Sequence, residues 1–225
     1  MLRGEAGPLE QWVRRVDGRR LAFCFGVIGL GAGLYGAAMG AWHDPRQAGY
    51  TAVKFPLIIL LTTGGNALLN AMFAPLLGLN VSLRQSLAAV LLSFTIAAAI
   101  LGSFSPLAAF LVWNAPALSG ADPASRTTYG AIQLTHVAVI AFAGLMGNMR
   151  LAQLLRLLAG NRAVARRVLF AWLASGLFLG SQLSWILRPF VGSPDLPVVF
   201  LRPHPFYGSF YETVFRALTG LFHTH

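Results

Sequence analysis

Leu21–Trp42 runs for 22 residues without a single charge. A helix rises 1.5 Å per residue, so about 20 such residues cross the hydrocarbon core of a bilayer. The small residues of Ala37–Ala41 resemble a signal-peptidase site. The run is nevertheless too long for a signal-peptide core of about 7–15 residues, and it reads as a retained helix. Four further stretches have the same character: Phe55–Leu79, Leu83–Trp113, Tyr129–Met149 and Val164–Leu187. The expected fold is therefore all-α, a polytopic transmembrane helical bundle of about five spans. A basic segment, 1–20, precedes the bundle at 21–188, and a proline-rich segment with a C-terminal helix occupies 189–225.

The prolines place the ends. Pro56 is expected in the first turn of the second span, where a missing N–H costs nothing, with His43–Tyr50 as a polar loop before it. Pro75 should end or kink that span. Leu83–Trp113 reads as one helix bent near Pro106, or else as two helices. Leu151, Leu154, Leu155 and Leu158 keep helical spacing, so the fourth helix should continue past Met149 until Gly160–Asn161 breaks it. Arg188–Pro189 stops the fifth. Prolines 194, 197, 203 and 205 keep Phe190–Pro205 extended. Phe206, Phe210, Val214, Leu218 and Leu221 then form one stripe of an interfacial amphipathic helix over Phe206–Phe222. It is expected to lie flat on the outer face. Gln11–Val16 is a second short surface helix. No internal repeat of 20–50 residues and no inverted repeat divides the chain.

The net charge of +10 is not a nucleic-acid footprint, because the basic residues do not form one patch. They flank the apolar stretches, as the positive-inside effect requires. Sixteen of the seventeen are arginine and Lys54 is the only lysine, a skew associated with GC-rich bacterial genomes. With the N-terminus inside, inner segments hold eleven arginines, among them Arg84 and the five from Arg150 to Arg167. Outer segments hold six basic residues: Arg46, Lys54, Arg126, Arg188, Arg202 and Arg216. The expected location is a bacterial inner membrane, multi-pass, N-terminus inside and C-terminus outside.

Polar side chains in hydrocarbon are costly and usually face other helices or water. Asn66 and Asn70 share a helix face, one turn beyond Thr62 and Thr63. Gln133 and His136 lie three apart on the fourth span, and Gln182 and Ser184 lie on the fifth, before Arg188 at the outer rim. Together these six form a candidate polar intramembrane face, either a conduit or a set of interhelical hydrogen bonds worth roughly 0.6–2 kcal/mol each. The second reading is preferred for the asparagines. His136 is the only histidine in a span, and no second ligand at matching depth accompanies it. A structural, hydrogen-bonded histidine is the expectation, with no cofactor and no metal site. His204, His223 and His225 make a poor metal set. Cys24 lies alone in the first span and has no disulfide partner.

Gly29, Gly33, Gly36 and Gly40 on the first span, and Gly176 and Gly180 on the fifth, have the small-xxx-small spacing that lets helix backbones touch. Phosphate-loop, zinc-protease and serine-elbow motifs do not occur. Gly29–Gly33 lies inside a span and is no nucleotide loop. None of the seven acidic residues is mid-membrane, which disfavours a carboxylate proton relay. Asn80-Val-Ser82 fits a glycosylation pattern but falls in an inner loop.

The run Ala52-Val-Lys54-Phe-Pro56-Leu-Ile-Ile-Leu-Leu-Thr62, followed by Ser82-Leu-Arg84-Gln85-Ser86-Leu, resembles bacterial membrane proteins grouped with the Yip1 superfamily. The resemblance covers Thr51–Pro106. It implies a five-span protein without catalytic residues, and in eukaryotic members a tie to membrane traffic and partner binding. The tail from Gly180 to Pro194 departs from that pattern and points to a narrower bacterial family. The function expected is non-enzymatic: assembly in the bilayer, as a homo-oligomer or as an accessory or scaffold subunit with a membrane-protein partner. An ion or small-solute channel or transporter is the alternative, and an intramembrane enzyme ranks third.

Overall fold

Short polar side chains start the helices. Asp17, Asp44, Ser82 and Asn161 each sit in extended backbone just before a helix, and each side chain accepts from an N–H of the first turn. That pairing satisfies donors no earlier turn can reach. At Ser82 the bond is reciprocated by Gln85, completing a capping box. The computed structural model describes residues 17–42, 44–116, 123–192 and 197–212, without the side chains of 123–127. Five helices follow in order: α1 Gly18–Gly40, α2 Pro45–Leu76, α3 Leu83–Trp113, α4 Pro123–Ala159 and α5 Arg162–Leu187. Among the described residues there is no strand. All five helices are long and apolar enough to cross a membrane, and the chain is a multi-pass membrane protein.

Short connections reverse the chain at each step. One end of the bundle therefore carries Gly40, Pro45, Trp113 and Arg188, and the other carries Asp17, Leu76, Leu83 and Arg162. They are called here the Arg188 end and the Arg162 end. α3 is central and packs on α1, α2 and α4, while α5 closes the ring by touching α2 and α4. The core around Ile28, Ala32, Leu91, Ala98, Leu154 and Trp172 is built largely by α1, α3 and their neighbours.

Helix backbones touch where side chains are missing. A Cβ added to Gly36 would lie 2.5 Å from the Thr51 carbonyl oxygen, and one added to Gly40 would lie 2.6 Å from that of Gln47. Gly33 faces the Ala52 carbonyl in the same way. Pro56 leaves that carbonyl without its helical N–H, so the close Gly33 backbone covers it. Gly31 and Gly102, which the spacing rule did not pick out, bring α1 against α3: a Cβ on Gly102 would lie 2.8 Å from Gly31 Cα. Gly29, expected to pack, meets nothing within 4 Å and faces outward. It lies within about 40° of Gly33, Gly36 and Gly40 around the helix axis, but no neighbouring helix comes close at its level.

Several boundaries differ from expectation. α2 begins at Pro45, not near Phe55, because Asp44 caps it and Pro45 occupies its first turn. The polar stretch through Tyr50 is thus helix, Pro56 lies well inside it, and Lys54 is a helical residue rather than a loop cation. α4 begins at Pro123, six residues before Tyr129. α3 is one helix through Pro106. The Ser105 hydroxyl donates to the Gly102 carbonyl at 2.7 Å, replacing the N–H that Pro106 lacks. Pro75 does end α2, one residue before Leu76, and Gly160 (φ 60°) ends α4.

The C-terminal segment also departs from expectation. Residues 206–209 are not helical, and a helix begins only at Phe210. Tyr211 stacks on Phe178 of α5, with ring centroids 5.5 Å apart, and its hydroxyl lies 2.5 Å from that of Ser181. Phe178 is nine residues before the end of α5, roughly 13 Å down its axis. The segment therefore runs back along α5 instead of lying flat at the end of the bundle. The rest of the expected helix, 213–222, and the expected Gln11–Val16 helix lie outside the described residues, as do His223 and His225.

Candidate functional site

Once α5 stops at Arg188, the chain must cross the Arg188 end of the bundle without a helix of its own. Its carbonyls then need donors from elsewhere, since unpaired backbone in a membrane protein costs several kcal/mol. α2 supplies them from one face: Gln47, Thr51 and Lys54 are spaced four and three apart and all are fully buried. Gln47 Nε2 donates to the Pro189 and Phe190 carbonyls, each at 2.9 Å. The Thr51 hydroxyl reaches Phe190 O at 2.7 Å, and Lys54 Nζ donates to Pro189 O at 2.9 Å. The Lys54 ammonium also faces the Phe200 ring at 5.1 Å. A cis peptide joins Arg188 and Pro189.

α1 and α4 close the other side of this cap. The Tyr129 hydroxyl donates to Gly192 O at 3.0 Å and accepts from Gln133 Nε2 at 3.1 Å. Trp42 stacks on Tyr129 and donates to Pro116 O. Buried Tyr35 meets His136 Nδ1 at 2.8 Å. His136 is only 5% exposed, and its Nε2 has no protein partner. The Arg188 guanidinium stacks 3.5 Å over the Trp185 ring and donates to Trp185 O at 2.7 Å. Burial, and then repulsion from Arg202, lower the Arg188 pKa from the ordinary arginine value. Between α4 and the 188–192 strap lies a cavity of about 610 Å³, lined by Gln133, His136, Arg188 and Arg202 among others.

Asn66 and Asn70 are elsewhere. They are buried on α2 with Thr62 and Thr63, along the seam with α5. Gly176 of α5 comes close to the Asn66 amide, and Gly180 to Thr62, so these two glycines bring α5 onto a polar stripe. The Thr62 hydroxyl, Asn66 Oδ1, both polar atoms of Asn70 and the Trp172 indole N–H are buried there without a protein partner. Gln182 and Ser184 are half-buried on α5, and Gln182 Oε1 has no protein partner either.

The six polar residues expected on one face thus divide between places. Gln133 and His136 meet Arg188 at the cap, while Asn66 and Asn70 line the α2–α5 seam. The cap residues Gln47, Thr51, Lys54, Tyr35 and Tyr129 were missed. The signal was present in Asp44-Pro45, an N-cap followed by a first-turn proline, which starts α2 early enough to put Gln47, Thr51 and Lys54 on one face.

Fold and site define a class, a five-helix membrane bundle with a capped end and no regular structure beyond helices among the described residues. Comparison with family models, with curated proteins and with solved structures gives no match.

Proposed function

We propose that this protein is a non-enzymatic subunit of the bacterial inner membrane that acts by assembly, as a homo-oligomer or as an accessory or scaffold subunit. One observation carries the reading, the uneven burial of the helices. In the most apolar stretch of α3, 56% of residues are buried inside the protein, against 22% for α4 and 17% for α5. α5 presents Phe170 and Leu177, and α4 presents Leu134, as large exposed apolar side chains. A second chain seated there would complete the bundle around α4 and α5. The intramembrane polar residues favour this reading over conduction, because they divide between a helix seam and a cap instead of facing one another along a common path.

Charge supports the orientation. The Arg162 end carries Arg19, Arg20, Arg84, Arg150, Arg156, Arg162, Arg166 and Arg167. Lys54 is withdrawn into the bundle, so the opposite end is poorer in free basic groups than the sequence count suggests. The rule that basic loops stay inside then puts the N-terminus in the cytoplasm. Reporters inserted at Gly160–Asn161 and fused after His225 should report opposite sides of the membrane. For assembly, native mass spectrometry from mild detergent should find a multiple of the chain mass or a co-purified membrane protein. Leu177→Arg should dissociate that complex. A single chain both in mild detergent and in native nanodiscs would sink the proposal.

A further inference from the structure

The cavity at the Arg188 end has a layered chemistry. Its mouth carries two cations, Arg188 and Arg202, and no carboxylate is among the described residues lining it. Trp185 holds the Arg188 guanidinium by stacking and accepts one of its N–H groups, which leaves the remaining donors of a rigid fork for an anion. Gln133 sits beside them with its amide nitrogen engaged by Tyr129. One helical turn below Gln133, about 5 Å deeper, the His136 side chain lines the same cavity, with its Nε2 buried and without a partner. Beside His136 the wall is apolar and exposed: Leu134 and Val137, just above and below it, are 71% and 61% exposed, and Ile140 follows a turn deeper.

The Tyr35–His136 pair sets where the imidazole proton sits. Tyr35 is fully buried and His136 Nδ1 is its hydroxyl's hydrogen-bond partner. If Nδ1 carried the proton, the Tyr35 hydroxyl would accept it and leave its own hydrogen unused in the core. If Tyr35 donates to Nδ1, that bond is made and the imidazole proton sits on Nε2, which is buried behind the cavity wall. The cavity therefore presents two guanidinium groups, the His136 ring one turn deeper, and a lipid-facing apolar wall.

We propose that this cavity binds an anionic phospholipid, with the phosphate between Arg188 and Arg202 and an acyl chain along Leu134, Val137 and Ile140. Guanidinium forks match phosphate oxygens bidentately. The wall's exposure to the bilayer lets a chain leave the site without entering water. Lys54 and Gln47 take part indirectly, by holding the Pro189–Phe190 strap that forms one side of the mouth.

The test uses the full chain in mild detergent, with native mass spectrometry and thermal melting as readouts. Phosphatidylglycerol should form persistent adducts and raise the melting temperature. Phosphatidylcholine, at the same concentration, should bind at least tenfold more weakly. Inorganic phosphate and glycerol phosphate should give no shift at millimolar concentration, which separates a lipid site from a free-anion site. R188Q/R202Q should weaken phosphatidylglycerol binding by about tenfold or more, whereas R162Q/R166Q, at the opposite end, should leave this adduct in place. Equal binding of the two lipids, or unchanged phosphatidylglycerol binding by R188Q/R202Q in a folded protein, overturns the proposal. The oligomer mass is read in the same spectra, so loss of lipid and loss of assembly are scored separately.

Discussion

α1–α3 and α4–α5 are made of similar apolar residues, yet they are packed on different terms. Between α1, α2 and α3, glycine lets backbone rest on backbone: Gly31 on α3, and Gly36 and Gly40 on α2. On α4 and α5, Gly130 and Gly144 meet nothing within 4 Å, and large side chains such as Phe170 and Leu177 are exposed. In lipid the apolar effect does not separate helix from acyl chain, so close packing and polar contacts decide which helices hold together. The first three helices have that closeness and form a tightly packed unit. The last two have it only locally, where Gly147 meets Ser93 and Gly176 meets Asn66. Their open faces are where lipid or a second protein makes contact.

Gly31→Val offers the strongest way to break this comparison. Its Cβ would overlap the Ala98 carbonyl, which is backbone and cannot move aside, so we expect a loss of about 3 kcal/mol or more and failure to fold in mild detergent. If the variant melts like the parent, the tight unit is not tight. Gln47→Leu comes next. It removes donors to Pro189 and Phe190 while Lys54 and Thr51 retain one each. A loss of about 2 kcal/mol and faster hydrogen exchange at Val191 and Gly192 are expected.

Asn70→Leu sharpens the contrast from the other side. Neither polar atom of Asn70 has a protein partner, so leucine forfeits no hydrogen bond within the chain. A gain of about 1 kcal/mol in thermal unfolding is the expected result. A marked drop in stability, or loss of the oligomer, would mean that Asn70 serves a partner beyond its own chain. Gly144→Ala should have the smallest effect. With open space around the site, only helix propensity acts, for a gain of up to about 0.8 kcal/mol. If it dissociates the complex instead, α4 is in backbone contact with a second chain at that point.

Much of the fold was readable because length and apolarity act locally. The five spans, the end of α2 at Pro75, the continuation of α4 to Gly160–Asn161 and the stop at Arg188 all follow from a residue's own chemistry. The α2 start was misjudged by ten residues because Lys54 and Gln47 look like loop residues when their partners are unknown. The candidate site was half legible. Gln133, His136 and Arg188 were selected as polar groups out of place, but nothing in their spacing says that they meet, nor that Asn66 and Asn70 belong to another seam.

Spans, their order, their approximate ends and the lopsided arginine distribution are determined by the sequence by itself, since each depends on the free energy of moving one stretch of chain from water into hydrocarbon. Only the tertiary structure decided that Gly31 touches α3 while Gly29 faces outward, that Lys54 is buried against Pro189, and that His136, bonded to Tyr35, lines one cavity with two arginines. Those outcomes depend on helix rotation and on a non-helical strap some 140 residues distant in sequence from its donors. A shift of one residue turns a helix by about 100°, and apolarity that surrounds a helix on every side does not specify which face turns inward.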